Sequence, residues 1–198
     1  MRLFFAVHPS EEIRRKAAAL ADEIKAGCEN LDAKWVPPEN FHITLVFLGE
    51  TPETKLAELK NVAQQAAKTG KSFSAEFGNL GVFPNTRAPR VLWIGISKGA
   101  QELRHLARGL HHELQAGGFL FDSKDPDPHL TLARMRDPRE PSRAKVLSSA
   151  VSKIRGYVER PMPALGSWPV LQIALMESLL AKPSPIYKTL EQFNLGHE

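Results

Sequence analysis

Two short stretches of the chain repeat one pattern of residues that could transfer protons. The first is His42-Ile43-Thr44-Leu45 and the second is His129-Leu130-Thr131-Leu132. Successive side chains of a β-strand point to opposite faces, so each stretch would present an imidazole and a hydroxyl on one face and bury its apolar residues on the other. Two such strands facing each other would place two imidazoles around one substrate group, where one could add a proton and the other remove one.

The repetition favours a functional interpretation over a structural one. A single His-x-Thr is weak, because a half-buried strand whose histidine makes one core hydrogen bond explains it equally well. Here both copies lie in β-patterned runs with proline shortly upstream, at Pro37-Pro38 and at Pro126 and Pro128. Repetition of that kind indicates a shared role at both places. We therefore predict that His42 and His129 form an acid–base pair, for which the imidazole pKa near neutrality is suited.

Hydrophobic periodicity and turn residues predict the elements that would position this pair. Strands are predicted at 2–7, 41–48, 73–83, 91–96, 129–135, 155–160 and 170–180. Helices are predicted at 10–26, 51–68, 99–116 and 142–154, the first with Ser10 as its N-cap. This order indicates two related α+β halves, each of which contributes one His-x-Thr strand to a shared central cleft.

Composition limits the classes of protein that fit. At 198 residues the chain has the size of one domain, which we predict to span residues 1–198. The net charge of +4 is compatible with a polyanionic partner without requiring one. Cys28 is the only cysteine, which excludes an internal disulfide and a cysteine metal site. No apolar run approaches the roughly 18 residues of a membrane span, so we expect a soluble cytoplasmic protein.

The two motifs also carry a family resemblance. Together they resemble the paired signatures of the 2H phosphoesterase superfamily. More closely, the chain is similar to the bacterial and archaeal RNA 2′,3′-cyclic phosphodiesterases, also called 2′-5′ RNA ligases. The resemblance extends from about residue 2 to about residue 195. Supporting matches are Arg2-Leu3-Phe4-Phe5-Ala6, Phe47-Leu48-Gly49-Glu50, Phe83-Pro84, Pro89-Arg90-Val91-Leu92-Trp93, Ala133-Arg134 and Glu177-Ser178 before Tyr187.

The resemblance implies a fold, a reaction and a substrate. The fold would be α+β, with two pseudo-symmetric, intertwined lobes whose antiparallel sheets surround a central cleft and whose helices lie on the outer faces. The reaction would be hydrolysis of RNA 2′,3′-cyclic phosphate ends to 2′-phosphate ends without a metal or other cofactor, with weak reversible 2′-5′ RNA ligation. The partner would be RNA with a cyclic phosphate end, and neither a membrane nor an obligate protein partner is indicated.

The same resemblance assigns roles to the motif residues. A 2′-phosphate product makes O3′ the leaving oxygen, so we assign His42 as general acid to O3′ and His129 as general base on water. The sequence does not distinguish this assignment from its reverse. Thr44 and Thr131 would donate hydrogen bonds to the non-bridging phosphate oxygens. Arg134 would hold the phosphate through its fork of donors.

Two further positions lie five residues beyond the motif histidines, where the first half has Phe47 and the second has Arg134. Simple alternation puts this position on the face opposite the histidine, so the role of Arg134 requires a bend, a bulge or the reach of its long side chain. Phe47 could stack on a nucleobase or belong to the core. Arg87 and Arg90 are candidates for contact with the RNA backbone, or are solvated loop charges.

Three other functions remain compatible with the sequence. One keeps the chemistry and acts on small cyclic nucleotide phosphates. A second is a non-catalytic RNA-binding module on the same fold, against which the intact His and Thr of both copies argue. A third is a metallohydrolase with His42 and His129 as ligands, which lacks an Asp or Glu at suitable spacing from either histidine.

Overall fold

The fold alternates helices with the strands of one antiparallel sheet. A computed structural model describes residues 1–29, 31–124, 127–135, 144–180 and 185–196. The strands are β1 Arg2–Val7, β2 Ala33–Trp35, β3 Ile43–Glu50, β4 Phe73–Phe83, β5 Val91–Lys98, β6 His129–Met135, β7 Ser167–Val170, β8 Gln172–Leu179 and β9 Ile186–Asn194. The helices are α1 Glu11–Gly27, α2 Leu56–Thr69, α3 Ala100–Ala116 and α4 Ala144–Glu159. Within the described ranges, no helix combines the length and the apolar composition needed to cross a membrane.

The sheet consists of two halves that meet at the motif strands. Its strand order is β7-β4-β5-β6-β3-β1-β8-β9, and β2 is a short additional partner of β6. All of these pairings are antiparallel. Between β3 and β6, which are described in full, the register contains the single pair Ile43 and Leu130. Beyond that pair the two halves separate, and the opening between them is the central cleft. The predicted α+β fold with antiparallel sheets around a cleft is thus confirmed.

The helices cover the face of the sheet that lies away from the cleft. The predicted inner face of α1 is buried as expected, at Ile13, Ala17, Leu20, Ala21 and Ile24. The Ser10 hydroxyl accepts the backbone N–H of Ile13 at 3.4 Å and caps this helix, as predicted. Helices α2 and α3 pack against each other, while α4 packs against α1 and β4. Ile43 and Leu130 are fully buried in the same core cluster as these helices.

The predicted strand at 155–160 is wrong, because residues 155–159 continue α4. Tyr157 and Val158 favour strands by propensity, but packing decides the conformation here. The Tyr157 hydroxyl donates to the backbone carbonyl of Glu23 in α1, and Arg160 forms an ion pair with the Glu23 carboxylate. Those contacts anchor the end of α4 on α1. The predicted start of this helix at residue 142 lies outside the described residues.

The predicted strand at 170–180 is confirmed over β8, but its first residue, Val170, is the last residue of β7, a separate strand. Strand β7 pairs with β4 at one edge of the sheet, whereas β8 pairs with β1 and β9 in the other half. The chain therefore crosses from one half to the other at Leu171, which is exposed. Apolar residues continue through the crossing, so periodicity alone does not reveal it.

The contact between the two halves makes the fold sensitive to Leu130. We expect Leu130→Ala to lower the free energy of unfolding by about 2–5 kcal/mol, because a fully buried side chain is lost and a cavity remains. The same change at Leu120, whose side chain is 91% exposed, should cost less than about 0.5 kcal/mol. Urea denaturation followed by circular dichroism measures both. Equal losses in the two variants would contradict this account of the core.

Candidate active site

The motif strands bring four predicted residues together at the cleft. Ile43 and Leu130 are paired and point into the core, so the side chains on either side of them point the opposite way. In this antiparallel register His42 lies across from Thr131, and Thr44 lies across from His129. These two histidines and two threonines line one cleft of about 500 Å³.

Both motif strands contain the same irregularity three to four residues after the histidine. In β3 the register to β1 shifts at Leu45 and Val46, which are both buried. In β6 the register to β5 shifts between Thr131 and Ala133, so that one residue is left out of the pairing. A β-bulge of this kind reverses the alternation of faces beyond it.

The bulges put the fifth position after each histidine back on the cleft face. Phe47 and Arg134 both line the cleft with the motif residues. This is the bend that the sequence prediction for Arg134 required. Its signal in the sequence is the pair of consecutive apolar residues in each strand, Leu45-Val46 and Leu132-Ala133, where strict alternation would place only one.

Each catalytic candidate is anchored by a hydrogen bond that the sequence analysis missed. The Nδ1 atom of His42 lies 2.6 Å from the carbonyl oxygen of Asn40, and Nδ1 of His129 lies 2.6 Å from that of Asp127. A carbonyl oxygen only accepts, so Nδ1 carries the hydrogen in both rings and donates it. Nε2 is therefore the nitrogen left to gain or lose a proton. The signal is the residue two places before each histidine, which acts through its backbone.

The environment of His42 disfavours its charged form. Burial is the main cause and lowers the pKa of His42 to about 4, against the opposing effect of the hydrogen bond to Asn40. The nearby positive charges of His8, Arg134 and His129 lower it further. His8 follows β1 beside the first motif, and its Nδ1 lies 3.4 Å from the carbonyl oxygen of Phe41.

The environment of His129 differs from that of His42 because one of its neighbours, Asp127, is negatively charged. Burial again lowers the pKa of this imidazole, and Arg134 adds to that effect. The hydrogen bond to the Asp127 carbonyl and the charge of the Asp127 carboxylate raise it. The strand position paired with His129 is Gly95, which brings no charge. Of the two rings, His129 is the one with an acidic neighbour, and His42 has a second histidine nearby.

Aromatic side chains hold both imidazoles in place. Phe4 and Tyr187 each lie 5.0 Å from the His42 ring, measured between centroids. Around His129 the corresponding groups are Phe83, at 5.1 Å, and Trp93, at 6.0 Å. A Cβ atom at Gly81 would come within 2.2 Å of the Trp93 ring, so glycine at that position leaves room for the indole. The sequence analysis did not single out Phe4, Phe83 or Tyr187 as site residues.

Two guanidinium groups face the same cleft. Arg134 acts electrostatically on both motif histidines, which puts its charge close to the space between them. Arg2 also lines the cleft and was not among the predicted site residues. Together with the two threonine hydroxyls, these arginines could donate hydrogen bonds to an anion that offers several oxygen acceptors.

The other residues predicted to contact RNA are Phe47, Arg87 and Arg90, and they differ in their position relative to the cleft. The Phe47 side chain is 50% exposed at the cleft and lies 6.0 Å from Phe4, so it is available to a ligand rather than buried in the core. Arg87 and Arg90 are exposed beside β5 and lie outside the described lining of the cleft. Their contact with RNA stays a prediction. Within the described part of the chain, no three His, Cys, Asp or Glu side chains are grouped in a way that could hold a metal ion.

Comparison with known families agrees with this geometry. The family model described as LigT like Phosphoesterase matches the chain twice, over residues 7–93 and 94–187. Each match contains one His-x-Thr motif. The chain belongs to the LigT-like phosphoesterase family. The boundary between the two matches lies within β5. Each copy of the family model therefore covers one half of the chain together with one copy of the motif.

Curated and solved relatives of this LigT-like phosphoesterase cover nearly its whole length. RNA 2′,3′-cyclic phosphodiesterase of Aquifex aeolicus is 34% identical over 99% of this chain and 98% of its own. The enzyme of that name in Archaeoglobus fulgidus is 37% identical over 98% and 99%. A crystal structure of a Thermus thermophilus protein superposes with a TM-score of 0.76 at 30% identity, covering 98% of both chains. E. coli LigT complexed with 3′-AMP has the same fold, with a TM-score of 0.72 at 24% identity over 98% and 97%.

The electrostatics predict how the histidines titrate. We expect the His42 imidazole to titrate in NMR near pH 4, and both neutral rings to carry their hydrogen on Nδ1. Because the pKa in the folded state lies below the ordinary 6.5, the unfolded chain binds a proton that the folded chain does not between these values. The contribution of His42 to stability is thus present above pH 6.5 and is lost as the pH falls to about 4. Arg134→Met should raise the pKa of His42, since it removes a positive neighbour. A midpoint at or above 6.5 would contradict this assignment.

Proposed function

We propose that this protein hydrolyses RNA 2′,3′-cyclic phosphate ends to 2′-phosphate ends by a metal-independent reaction of two histidines. One observation carries the proposal. Two imidazoles with the same Nδ1 anchor face one cleft, and each has a threonine hydroxyl on its own strand and another across from it. This arrangement offers a proton donor, a proton acceptor and hydrogen-bond donors around a single phosphate.

The relatives support the choice of substrate. Several curated proteins with 31–37% identity over most of this chain carry the name RNA 2′,3′-cyclic phosphodiesterase. The cleft has about the volume that a nucleotide requires, and its lining includes the exposed Phe47 ring on which a base could stack. Both facts favour a nucleotide with a cyclic phosphate over an unrelated phosphoester.

His129 is assigned as general base on water. The Asp127 carboxylate near it stabilises the imidazolium that forms when Nε2 takes a proton from the attacking water. Water forms a bond to phosphorus, and the phosphorus–O3′ bond breaks on the opposite side. The 2′ oxygen stays bonded to phosphorus, so the product is a 2′-phosphate.

His42 is assigned as general acid to O3′. Its surroundings disfavour the imidazolium, so once protonated beside a bound phosphate it gives up its proton readily. Neutralisation of Arg134 by the bound anion removes one of the charges that oppose this protonation. In the proposed complex the substrate itself therefore prepares the acid.

Thr44, Thr131 and Arg134 are assigned to the non-bridging phosphate oxygens. The hydroxyls are neutral donors, and the guanidinium supplies the positive charge. Such preorganised donors stabilise the charge that develops on these oxygens in the transition state. Ligation would use the same residues, with the 5′-hydroxyl of a second RNA attacking phosphorus in place of water, and would give a 2′-5′ bond. Because water is far more concentrated than RNA ends, hydrolysis is the net direction.

The first test uses a short RNA ending in a 2′,3′-cyclic phosphate, with EDTA present. We expect wild-type protein to produce a 2′-phosphate end, and His42→Ala or His129→Ala to lower the rate by about 10²–10⁴-fold, the usual contribution of a general acid or base. His112→Ala, at an exposed position of α3, is the matched control and should keep the wild-type rate. Chromatography against 2′- and 3′-phosphate standards identifies the product.

Other outcomes of this test select among the alternatives. Loss of activity on chelation would favour a metallohydrolase. RNA that binds without conversion by the wild-type protein would favour a binding module. Turnover of nucleoside 2′,3′-cyclic phosphates but not of RNA would leave the chemistry in place and change the substrate.

A second test separates the acid from the base. In a substrate whose 3′ oxygen is replaced by sulfur, the thiolate leaves without protonation, so a missing general acid matters little. We expect His42→Ala to hydrolyse this substrate at a rate within about tenfold of wild type, while His129→Ala stays impaired by at least about 10²-fold. If His129→Ala, and not His42→Ala, hydrolysed this substrate at close to the wild-type rate, the two assignments would be reversed. Rate constants from single-turnover reactions provide the comparison.

A further inference from the structure

A second pocket adjoins the cleft at His129. Its volume is about 420 Å³, and it shares His129, Thr44, Phe47 and Asp122 with the cleft. His129 thus lines both spaces, whereas among the described residues Arg2 and Arg134 line only the cleft. We call this space the second pocket. Its aromatic, proline and charged lining residues, apart from His129, are Phe47, Phe83, Pro84, Asp122, Lys124 and Asp127.

The second pocket has an aromatic surface next to the proposed base. The Phe83 ring meets the His129 ring edge to face, with centroids 5.1 Å apart and planes at 79°. Pro84 continues this surface, and Phe47 lies on the boundary with the cleft. Flat apolar surfaces of this kind bind nucleobases by stacking, largely without regard to sequence.

The charges of the second pocket differ from those of the cleft. Among the residues that the structure describes, its charged lining consists of Asp122, Asp127 and Lys124. Within the same ranges, the charged residues that line the cleft are Arg2, Arg134 and Asp122. Two carboxylates disfavour a phosphate, and they accept hydrogen bonds from hydroxyls. The second pocket therefore suits a nucleoside end without a 5′-phosphate.

The far wall of the second pocket is held against the first motif strand. The backbone N–H of Asp122 donates to the carbonyl of Phe47 at 2.9 Å, and the Asp122 carboxylate accepts the N–H of Lys124 at 3.1 Å. These bonds hold Asp122 beside Phe47, where both residues line the cleft as well as the second pocket. A nucleoside seated in the second pocket would lie next to His129, the proposed base that activates the attacking water in hydrolysis.

We propose that the second pocket binds the nucleoside whose 5′-hydroxyl replaces water in 2′-5′ ligation. This inference rests on the proposed function. In ligation, His129 takes the proton of the 5′-hydroxyl, a phosphorus–O5′ bond forms, the phosphorus–O3′ bond breaks, and O3′ receives a proton from His42. In the reverse direction, O3′ attacks phosphorus and gives its proton to His42, and the leaving O5′ receives a proton from His129. Hydrolysis needs only water at this position and leaves the second pocket empty.

The test compares two substrates that differ in their use of the second pocket. Adenosine 2′,3′-cyclic phosphate reports hydrolysis, and adenylyl-(2′→5′)-adenosine reports the reverse of ligation. Phe83→Leu keeps an apolar side chain against His129 and removes the stacking plane. We expect it to lower kcat/KM for the dinucleotide about tenfold more than it lowers kcat/KM for hydrolysis of the cyclic phosphate, in line with the usual contribution of a stacked base. Phe83→Tyr, which keeps the ring, should retain both reactions.

Phe73→Leu is the matched control, because it makes the same change at the other end of β4. It should leave both reactions as in the wild type. An equal loss of both reactions in Phe83→Leu would mean that the ring only supports His129, and it would overturn the proposal. So would an unchanged ratio of the two reactions, or a wild-type protein that hydrolyses the cyclic phosphate and leaves the dinucleotide intact. A wild-type protein inactive on both substrates and also on the short RNA with a cyclic phosphate end would instead overturn the proposed function itself.

Discussion

The contact between Ile43 and Leu130 is the constraint on which the site depends. It is the point where the two halves of the sheet join, and both side chains are fully buried in the core below the sheet. Because neighbouring residues of a strand point to opposite faces, burying this apolar pair turns the histidine and threonine on either side of it toward the cleft. Hydrophobic packing below the sheet thus determines the position of the polar groups above it.

The surroundings of the polar groups suit them to the proposed proton transfer. In each half a backbone carbonyl two residues before the histidine fixes the tautomer, and an aromatic cluster limits the rotation of the ring. Burial lowers the pKa of both rings and so favours their neutral forms. Groups held in this way need little rearrangement when the substrate arrives, which is the main advantage of a preorganised site.

Much of this arrangement could be predicted from the sequence. Alternation placed His42, Thr44, His129 and Thr131 on a common face, and the structure brings all four together at one cleft. Helix α1 has the predicted buried face, with Ser10 as its cap. These predictions succeed because they depend on local periodicity and on short-range hydrogen bonds, which the sequence displays directly.

The rest depends on contacts between distant residues. The segment at 155–159 is helical because Tyr157 packs on α1, and nothing within that segment reveals it. The position of Arg134 follows from a bulge, for which Leu132-Ala133 was a readable but overlooked sign. The carbonyl anchors of the histidines involve backbone atoms, and the second pocket forms from three segments that are far apart in sequence. Motif reading has no access to such features.

The unequal neighbours of the two histidines give the site an orientation. A perfectly twofold pair of motifs would accept a phosphodiester in either of two opposite poses, and half of the encounters would place the scissile bond against the wrong ring. Gly95 stands opposite His129, whereas His8 acts on His42, and the fifth positions hold Phe47 in one half and Arg134 in the other. The two copies of the motif therefore differ in their surroundings, and an asymmetric phosphodiester would meet different neighbours in its two orientations.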